Sequence, residues 1–325
     1  MLRRRNLALL AGAVFLPAPA RAQQSKKVPV VGYLHPGLRA RGSVTMGALR
    51  GYMDENGLVD GQTVRLVERW GEGKPELLQQ GARELVGSRP DVIVAVGRPS
   101  VEAVLALSRT VPIVIADLEN DPVAAGWTAS VAKPDGSVTG LFLDAPGISG
   151  KWLQQISELM PSLRKVGVLW DAGTGAYQRD AFIKVATAAA VETTLIEYRG
   201  QGSIDTVLDA ELKPDMQAVV QLGSPLIYQA GGQIAEVLTR HRLPGISPFR
   251  TFPANGGLVS YGVDLIALYR RVGPFIAKLL RGARPADLPF EQPTKFELVL
   301  NLKTAKLLGI TIPPSILART DEVID

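Results

Sequence analysis

Residues 91–100 read DVIVAVGRPS and residues 216–226 read MQAVVQLGSPL. Each is a run of β-branched and small apolar residues that ends on a glycine, passes a short polar turn and meets a proline where a helix opens. Pro99 and Pro225 suit the first helical position, where a missing N–H forfeits no bond, and Ser224 is placed to cap the second helix. In both halves a proline, Pro112 or Pro244, introduces the next strand. Strand, tight turn and helix recurring in two halves of one chain predict two βαβ-rich lobes of similar build. Chance likeness between two βα turns is the competing explanation.

Outward from these turns, short β-branched runs alternate with longer amphipathic stretches. VPVVGYLH (Val28–His35) reads as a buried first strand, Thr45–Glu55 as a helix, TVRLVERW (Thr63–Trp70) as a half-exposed strand and Pro75–Gly87 as a helix. VPIVIA (Val111–Ala116) and SVTGLF (Ser137–Phe142) complete the first half. A helix from Ile148 then leads to KVGVLW (Lys165–Trp170), a helix over Phe182–Ala190, TTLIEY (Thr193–Tyr198), MQAVVQL, a helix over Pro225–His241 and GGLVSYG (Gly256–Gly262). A helix at Leu265–Arg281, a proline-rich return, KFELVLN (Lys295–Asn301) and a short helix at Thr304–Leu308 close the pattern. Near-continuous apolar runs separated by helices indicate parallel strands covered on both faces. The expected class is α/β, with two Rossmann-like lobes whose several linking segments act together as a hinge. Residues 28–143 with 264–290 would form one lobe, and 144–263 with 291–325 the other.

The N-terminus reads as an export signal over residues 1–22. Arg3, Arg4 and Arg5 precede the apolar run LALLAGAVFL, Pro17 and Pro19 break it, and Ala20-Arg21-Ala22 offers small residues for cleavage before Gln23. A spanning helix needs about 20 apolar residues, twice what Leu7–Leu16 provides. Arg4-Arg5 leaves both general and twin-arginine export open. The signal also carries the excess charge. Removing its four arginines from the 36 basic side chains leaves 32 against 31 acidic ones. A mature chain so near neutrality has no bulk field for nucleic acid or anionic lipid. With no cysteine in the sequence, disulfides, thiolate metal sites, cysteine nucleophiles and a lipidated cysteine are excluded. The expected location is the periplasm.

Little in the mature chain carries chemistry. The two histidines are His35, ending the first strand, and His241, at a helix end where a cation is favourable. GxSxG, HExxH and GxxxxGK[ST] are missing. SGKW (Ser149–Trp152) lacks the rest of a phosphate loop, and GTGAY (Gly173–Tyr177) lacks the third glycine of a dinucleotide fingerprint. Asp117, Glu119 and Asp121 follow a strand one after another. They could hold a cation or an ammonium group, but a solvated loop is the favoured reading. No cofactor, metal or catalytic residue is expected, and the protein is not expected to be an enzyme.

DPVAAGW (Asp121–Trp127) with SVAKPDGSVTGL (Ser130–Leu141), HRLPGISPFRTFPANGGLVSYGVD (His241–Asp264) and NLKTAKLLGITIPPSILARTDEVI (Asn301–Ile324) resemble the ABC-transporter substrate-binding proteins, a family that includes tryptophan- and other aromatic amino acid-binding members. The resemblance runs from about Val28 to the C-terminus. It implies a type I periplasmic-binding-protein fold, closure of two lobes on a small molecule, and delivery to a membrane permease with an ATPase. Two departures stand out. Lys133-Pro134-Asp135-Gly136-Ser137 replaces a usual RPGGN, which tunes a turn, and Trp170-Asp171-Ala172 replaces WNP at a strand's carboxyl end. The second could alter the pocket and puts an aromatic amino acid ligand in doubt.

In open parallel sheets ligands sit beyond the carboxyl ends of the strands, and helix N-termini favour anionic groups. The expected cleft residues are His35, Gly97, Arg98, Pro99, Ser100, Glu119 and Asn120 on one lobe, with Asp171, Tyr177, Ser224, Pro225 and Arg250 on the other and Tyr261 and Asp264 at the crossover. Arg98 or Arg250 could pair with a ligand carboxylate, and Tyr177 or Tyr261 could stack on a flat ligand. The expected partners are a small solute and a membrane permease, for a monomer that binds no nucleic acid. Rival readings are a ligand-binding partner of a sensor kinase and, behind it, a periplasmic enzyme. A regulator's effector-binding core would need a DNA-binding module and no export signal.

Overall fold

The computed structural model describes residues 28–325, so the export signal expected over residues 1–22 lies outside the described residues. The first lobe is built from β1 (Val30–His35), α1 (Ser43–Glu55), β2 (Arg65–Trp70), α2 (Pro75–Gly87), β3 (Val92–Val96), α3 (Gly97–Leu105), β4 (Ile113–Ala116) and β5 (Val138–Leu141). These five strands form one parallel sheet in the order β2-β1-β3-β4-β5. Every residue of β1, β3, β4 and β5 is buried, as continuous apolar runs require when helices cover both faces. The edge strand β2 has the half-exposed pattern its alternation predicts.

The second lobe follows with α4 (Ala145–Leu159), β6 (Lys165–Asp171), α5 (Tyr177–Ala188), β7 (Glu192–Tyr198), α6 (Ile204–Glu211) and β8 (Ala218–Gln221). It continues through α7 (Pro225–Gln229), α8 (Gly231–Arg240), β9 (Gly245–Ser247), α9 (Thr251–Ala254) and β10 (Val259–Val263). After it come α10 (Leu265–Leu280), β11 (Phe296–Asn301), α11 (Leu302–Leu308), α12 (Pro314–Leu317) and β12 (Glu322–Ile324). The second sheet has seven strands in the order β12-β11-β10-β9-β8-β6-β7, parallel except where β11 runs against β10.

The chain passes between the sheets three times: from β5 to α4, from β10 to α10, and from Glu291 to β11. Helix α10 packs on α1, β3, β4 and β5 of the first sheet. Glu291 is bonded alongside Gly140 and Phe142 before the last passage. At the first two passages an aspartate begins the next helix. The Asp144 carboxylate accepts from Gly147 N and the Asp264 carboxylate from Ala267 N at 3.0 Å, satisfying amides that the helix cannot. Trp152 of α4 is fully buried, and its Nε1 donates to the Tyr261 carbonyl at 2.7 Å. This ties the helix after the first passage to the strand before the second.

Several element bounds differ from the sequence reading. The helix expected over residues 225–241 is two helices that part at Ala230, where φ is −90° and ψ is 2°. Gly231 and Gly232 follow and are poor helix formers. Helix α3 opens at Gly97, two residues before Pro99, and α4 at Ala145, three before Ile148. Helix α6, capped by Ser203, and the three-residue β12 were not anticipated.

Candidate functional site

Strand register lines up the functional turns. Leu34 pairs with Ala95 and Val96 with Ala116, so His35, Gly97 and Asp117 follow one another along the carboxyl edge of the first sheet. In the second sheet Leu169 pairs with Gln221, which sets Asp171 beside the Gly223-Ser224-Pro225 turn. The two edges face each other. Gly97 has φ +67°, and a Cβ placed on it would lie 3.0 Å from Pro225 Cγ and 3.7 Å from Glu119 Oε2. Only a residue without a side chain both adopts that backbone conformation and permits that approach.

The lobes are held together by polar contacts. Buried Gln178 of α5 donates through Nε2 to the Leu118 carbonyl at 3.0 Å and accepts from Gly223 N at 2.5 Å. At the rim, Gln229 accepts from Leu38 N and donates to its carbonyl, while Arg41 Nη1 donates to the Gln229 carbonyl at 2.6 Å. These contacts define a closed cleft.

Inside it lies a concentration of buried carboxyl groups. Asp117 is 0 % exposed, Glu119 3 % and Asp171 3 %. Asp117 Oδ1 accepts from Glu119 N and Asn120 N, each at 2.8 Å. Burial pushes all three acids up from their ordinary range. Glu119 is raised furthest in kind, because the Asp117 and Asp171 charges add to desolvation. Asp171 is partly relieved by Ser224 Oγ, which donates to Oδ2 at 2.5 Å, and by Gly173 N at 2.8 Å. The solvated loop expected at residues 117–121 is therefore corrected for Asp117 and Glu119. Their polarity is enclosed by tertiary packing, and a local sequence window does not register that.

His35 is 3 % exposed, and burial lowers its pKa to about 3, so the ring is neutral. Nδ1 accepts from Gly37 N at 2.9 Å, which leaves the proton on Nε2. The ring centroid lies 4.6 Å from that of Trp70. A cavity of about 30 Å³ is lined by His35, Thr45 and Glu119 from the first lobe, by Tyr228 and Phe249 from the second, and by Tyr269 of α10. A larger space of about 250 Å³ lies towards the mouth, between Lys74, Pro99 and Glu102 on one side and Asp171, Arg199 and Leu226 on the other.

A sequence model of the ABC transporter substrate binding protein family matches residues 28–324. The chain belongs to this family. Among curated relatives, a tyrosine-binding protein from Clostridioides difficile strain R20291 is 23% identical over 260 residues, covering 79% of this chain and 74% of the relative. A conserved domain protein from Vibrio cholerae matches the structure with a TM-score of 0.84 at 22% identity, over 91% of this chain and 100% of that one. An ABC domain from Streptococcus pneumonia in complex with L-Trp matches with a TM-score of 0.82 at 22% identity, over 91% and 99%. The fold is the two-lobed α/β architecture of type I periplasmic-binding proteins. Among the described residues no helix is long and apolar enough to cross a membrane, and no cluster of three metal-ligating side chains occurs.

In this substrate-binding protein, His35, Gly97, Pro99, Glu119, Asn120, Asp171, Ser224 and Pro225 converge on the interlobe cleft. Arg98 is at its edge, with Nε on Glu102 at 2.6 Å and Nη1 on Asn120 Oδ1 at 3.3 Å. Ser100 is fully buried within the first lobe, and its Oγ has no partner. The other four line neither interlobe cavity. Tyr177 is partly exposed near Asp121 and Asp144. Arg250 is drawn to Glu322 on the far edge strand. Tyr261 stacks on Phe296 at 5.8 Å. Asp264 is committed to capping α10 and faces Lys295. Sequence reading missed Tyr228 and Tyr269, which look like core residues in an amphipathic pattern, Phe249, which lies in the bend after β9, and Gln178, whose partners are distant in sequence. The departure at residues 133–137 does pin a turn: Asp135 Oδ1 accepts from Ala129 N at 2.9 Å and from Thr128 Oγ1 at 3.0 Å.

Proposed function

We propose that this protein is the exported solute receptor of an ABC importer, working as a periplasmic monomer that closes its lobes on a small amine-bearing solute of the aromatic amino acid class and passes it to a membrane permease. The observation that carries this reading is the closed interlobe cleft, in which the buried Glu119 carboxyl and a neutral histidine share a cavity with the aromatic rings of Tyr228, Phe249 and Tyr269, while Asp171 lines the neighbouring space. Aromatic walls with a few convergent polar groups are the usual composition of a small-molecule site. The tyrosine-binding and L-Trp-bound relatives support the same solute class. A periplasmic setting is supported by the sequence features of residues 1–22, and the three passages between sheets support lobes bounded at residues 143–144, 263–264 and 290–291.

The innermost space of about 30 Å³ is on the scale of a single water. A solute of amino acid size therefore enters an opened cleft and keeps the facing side chains apart. The permease, not this chain, would supply passage through the membrane. The test is a thermal-shift screen of the purified mature protein against amino acids, aromatic acids, purines and small carboxylates. A ligand of the folded state raises Tm by mass action, and a clear rise for aromatic amino acids is the expected outcome. A flat response to every class would sink the solute-receptor reading.

A further inference from the structure

We infer that the cleft takes a protonated amine in exchange for a proton held by the Asp117–Glu119 pair, so that capture of the solute releases a proton to solvent. This inference rests on the solute-receptor reading and specifies how the same site recognises charge. Asp117 and Glu119 come from the first lobe and Asp171 from the second, and all three are buried in the closed structure. Glu119 Oε2 lies where the lobes touch, 3.7 Å from the point a Gly97 Cβ would occupy.

The surrounding charges do not neutralise this cluster. Arg98 of α3 is committed to Glu102 and Asn120. Arg199, after β7, is paired with Glu197 and faces the mouth together with Lys74, which precedes α2. From β1 comes His35, held neutral by burial. Tyr228 of α7 and Tyr269 of α10 line the cavity, and burial raises their hydroxyl pKa values. Tyr198 of β7 faces Asp171 and is raised in the same way. No positive group from the packed elements makes an ion pair with Asp117, Glu119 or Asp171 among the described residues.

An independent observation marks the cavity as a place for a ligand. His35 lines it, is buried beyond nine-tenths and has Nδ1 occupied by Gly37 N, while Nε2 has no protein partner among the described residues. The Nε2–H is therefore a donor available to a polar solute atom in the cavity.

The exchange balances simply. In the empty closed cleft burial and the neighbouring Asp117 charge both favour the protonated form of Glu119. An R–NH3⁺ group entering beside the pair supplies the compensating charge. Glu119 then gives its proton to solvent, and the carboxylate accepts hydrogen bonds from the ammonium. No covalent bond changes apart from that O–H. Because proton and ammonium compete for one place, affinity for the amine falls at acid pH, with a limiting slope of about tenfold per pH unit for one proton.

The experiment is titration calorimetry on the mature full chain near pH 7 in phosphate and in Tris, whose ionisation heats differ. The probes are L-tyrosine, L-tryptophan, tyramine and tryptamine, each set against its counterpart without the amine, 3-(4-hydroxyphenyl)propionate or indole-3-propionate. The expected result is binding by the amines, at least tenfold weaker binding by the des-amino acids, and a buffer-dependent heat corresponding to about one proton released. Glu119→Gln mimics the protonated acid and is expected to keep the Tm of the empty protein, abolish proton release and flatten the pH dependence. Asp171→Asn is expected to weaken amine binding while proton release persists. Amine binding without buffer dependence, or equal binding of the des-amino acids, overturns the exchange and leaves the solute-receptor reading standing. If no amine binds while another class scores in the thermal-shift screen, the exchange and the amine-bearing solute class are overturned together, and only the solute-receptor role stands. If nothing binds in either experiment, both fail.

Discussion

The turn at Gly97-Arg98-Pro99-Ser100 and the turn at Gly223-Ser224-Pro225 meet across the cleft from opposite lobes. Their sequences rhyme, yet the work is divided differently between them. In the second turn the hydroxyl carries the load. Ser224 Oγ accepts from Leu226 N at 3.0 Å, reaches Ile227 N at 3.4 Å and donates to Asp171, while Pro225 opens the helix. In the first turn the backbone carries it. Gly97 takes φ +67° and lets Pro225 approach, no side chain caps α3, and the hydroxyl of Ser100 lies buried without a partner. A shared pattern of residues therefore marks where two turns lie. Which atom of each turn is functional depends on what the opposite lobe presents.

The sharpest way to break this comparison is Gly97→Val. A β-branched side chain is strained at positive φ by about 1–3 kcal/mol, and its Cβ would press on Pro225. The expected outcome is a lower Tm together with loss of lobe closure, read as an increased radius of gyration in small-angle scattering with solute present. Unchanged scattering would show that the turns need not approach this closely.

A smaller effect is expected for Ser224→Ala, which removes the cap at about 0.5–2 kcal/mol and strips Asp171 of a donor. Asp171 already holds its proton to higher pH when folded than when unfolded. Its contribution is therefore fully present at low pH and is lost as pH rises through the folded-state pKa. Without Ser224 that pKa rises further, so the variant's deficit in urea unfolding should be larger at pH 8 than at pH 4. An equal deficit at both would mean that capping alone explains the loss. Smallest of all is Ser100→Ala. Replacing an unpartnered buried hydroxyl by a methyl relieves a desolvation cost, so stability should stay within about 0.5 kcal/mol of the parent or rise. A loss well above that would reveal a role for Ser100 like that of Ser224.

Much of the fold was legible because its signals are local. Buried runs such as VIVAV and IVIA are uniformly apolar, and prolines and glycines punctuate them. The short pieces were harder to read. Helix α6 needed the Ser203 cap and the Ile204–Leu208 spacing to be weighed together, and β12 is too short for periodicity to register. The site was only half legible. Register brings His35, Gly97, Asp171 and Ser224 to the carboxyl edges of the sheets, since residues at strand ends follow from strand bounds. Glu119 is enclosed where α10 and the opposite lobe meet the first sheet, and Asp117 is buried beneath its own loop, whereas in sequence three acids within five residues look solvated. Tyr228 and Tyr269 have the opposite disguise, since a lining aromatic and a core aromatic obey the same helical spacing, and Phe249 sits in the bend after β9, where no periodicity marks it. Arg250 misled for a related reason: its guanidinium had a carboxylate available on β12.

The aspartate caps at the first two passages bear on how a molecule of this shape bends. Asp144 and Asp264 cap the first turns of α4 and α10, so unwinding either helix to absorb a rotation of one lobe against the other would cost a capping bond. Rotation must then be concentrated in the few peptide units between each strand end and its cap. Compliance confined to so short a length makes the joint behave like a pin, not a spring. Lobes turning about so narrow an axis would move as rigid plates, and a small angular change there would become a wide gape at the rim, parting Gln229 from Leu38.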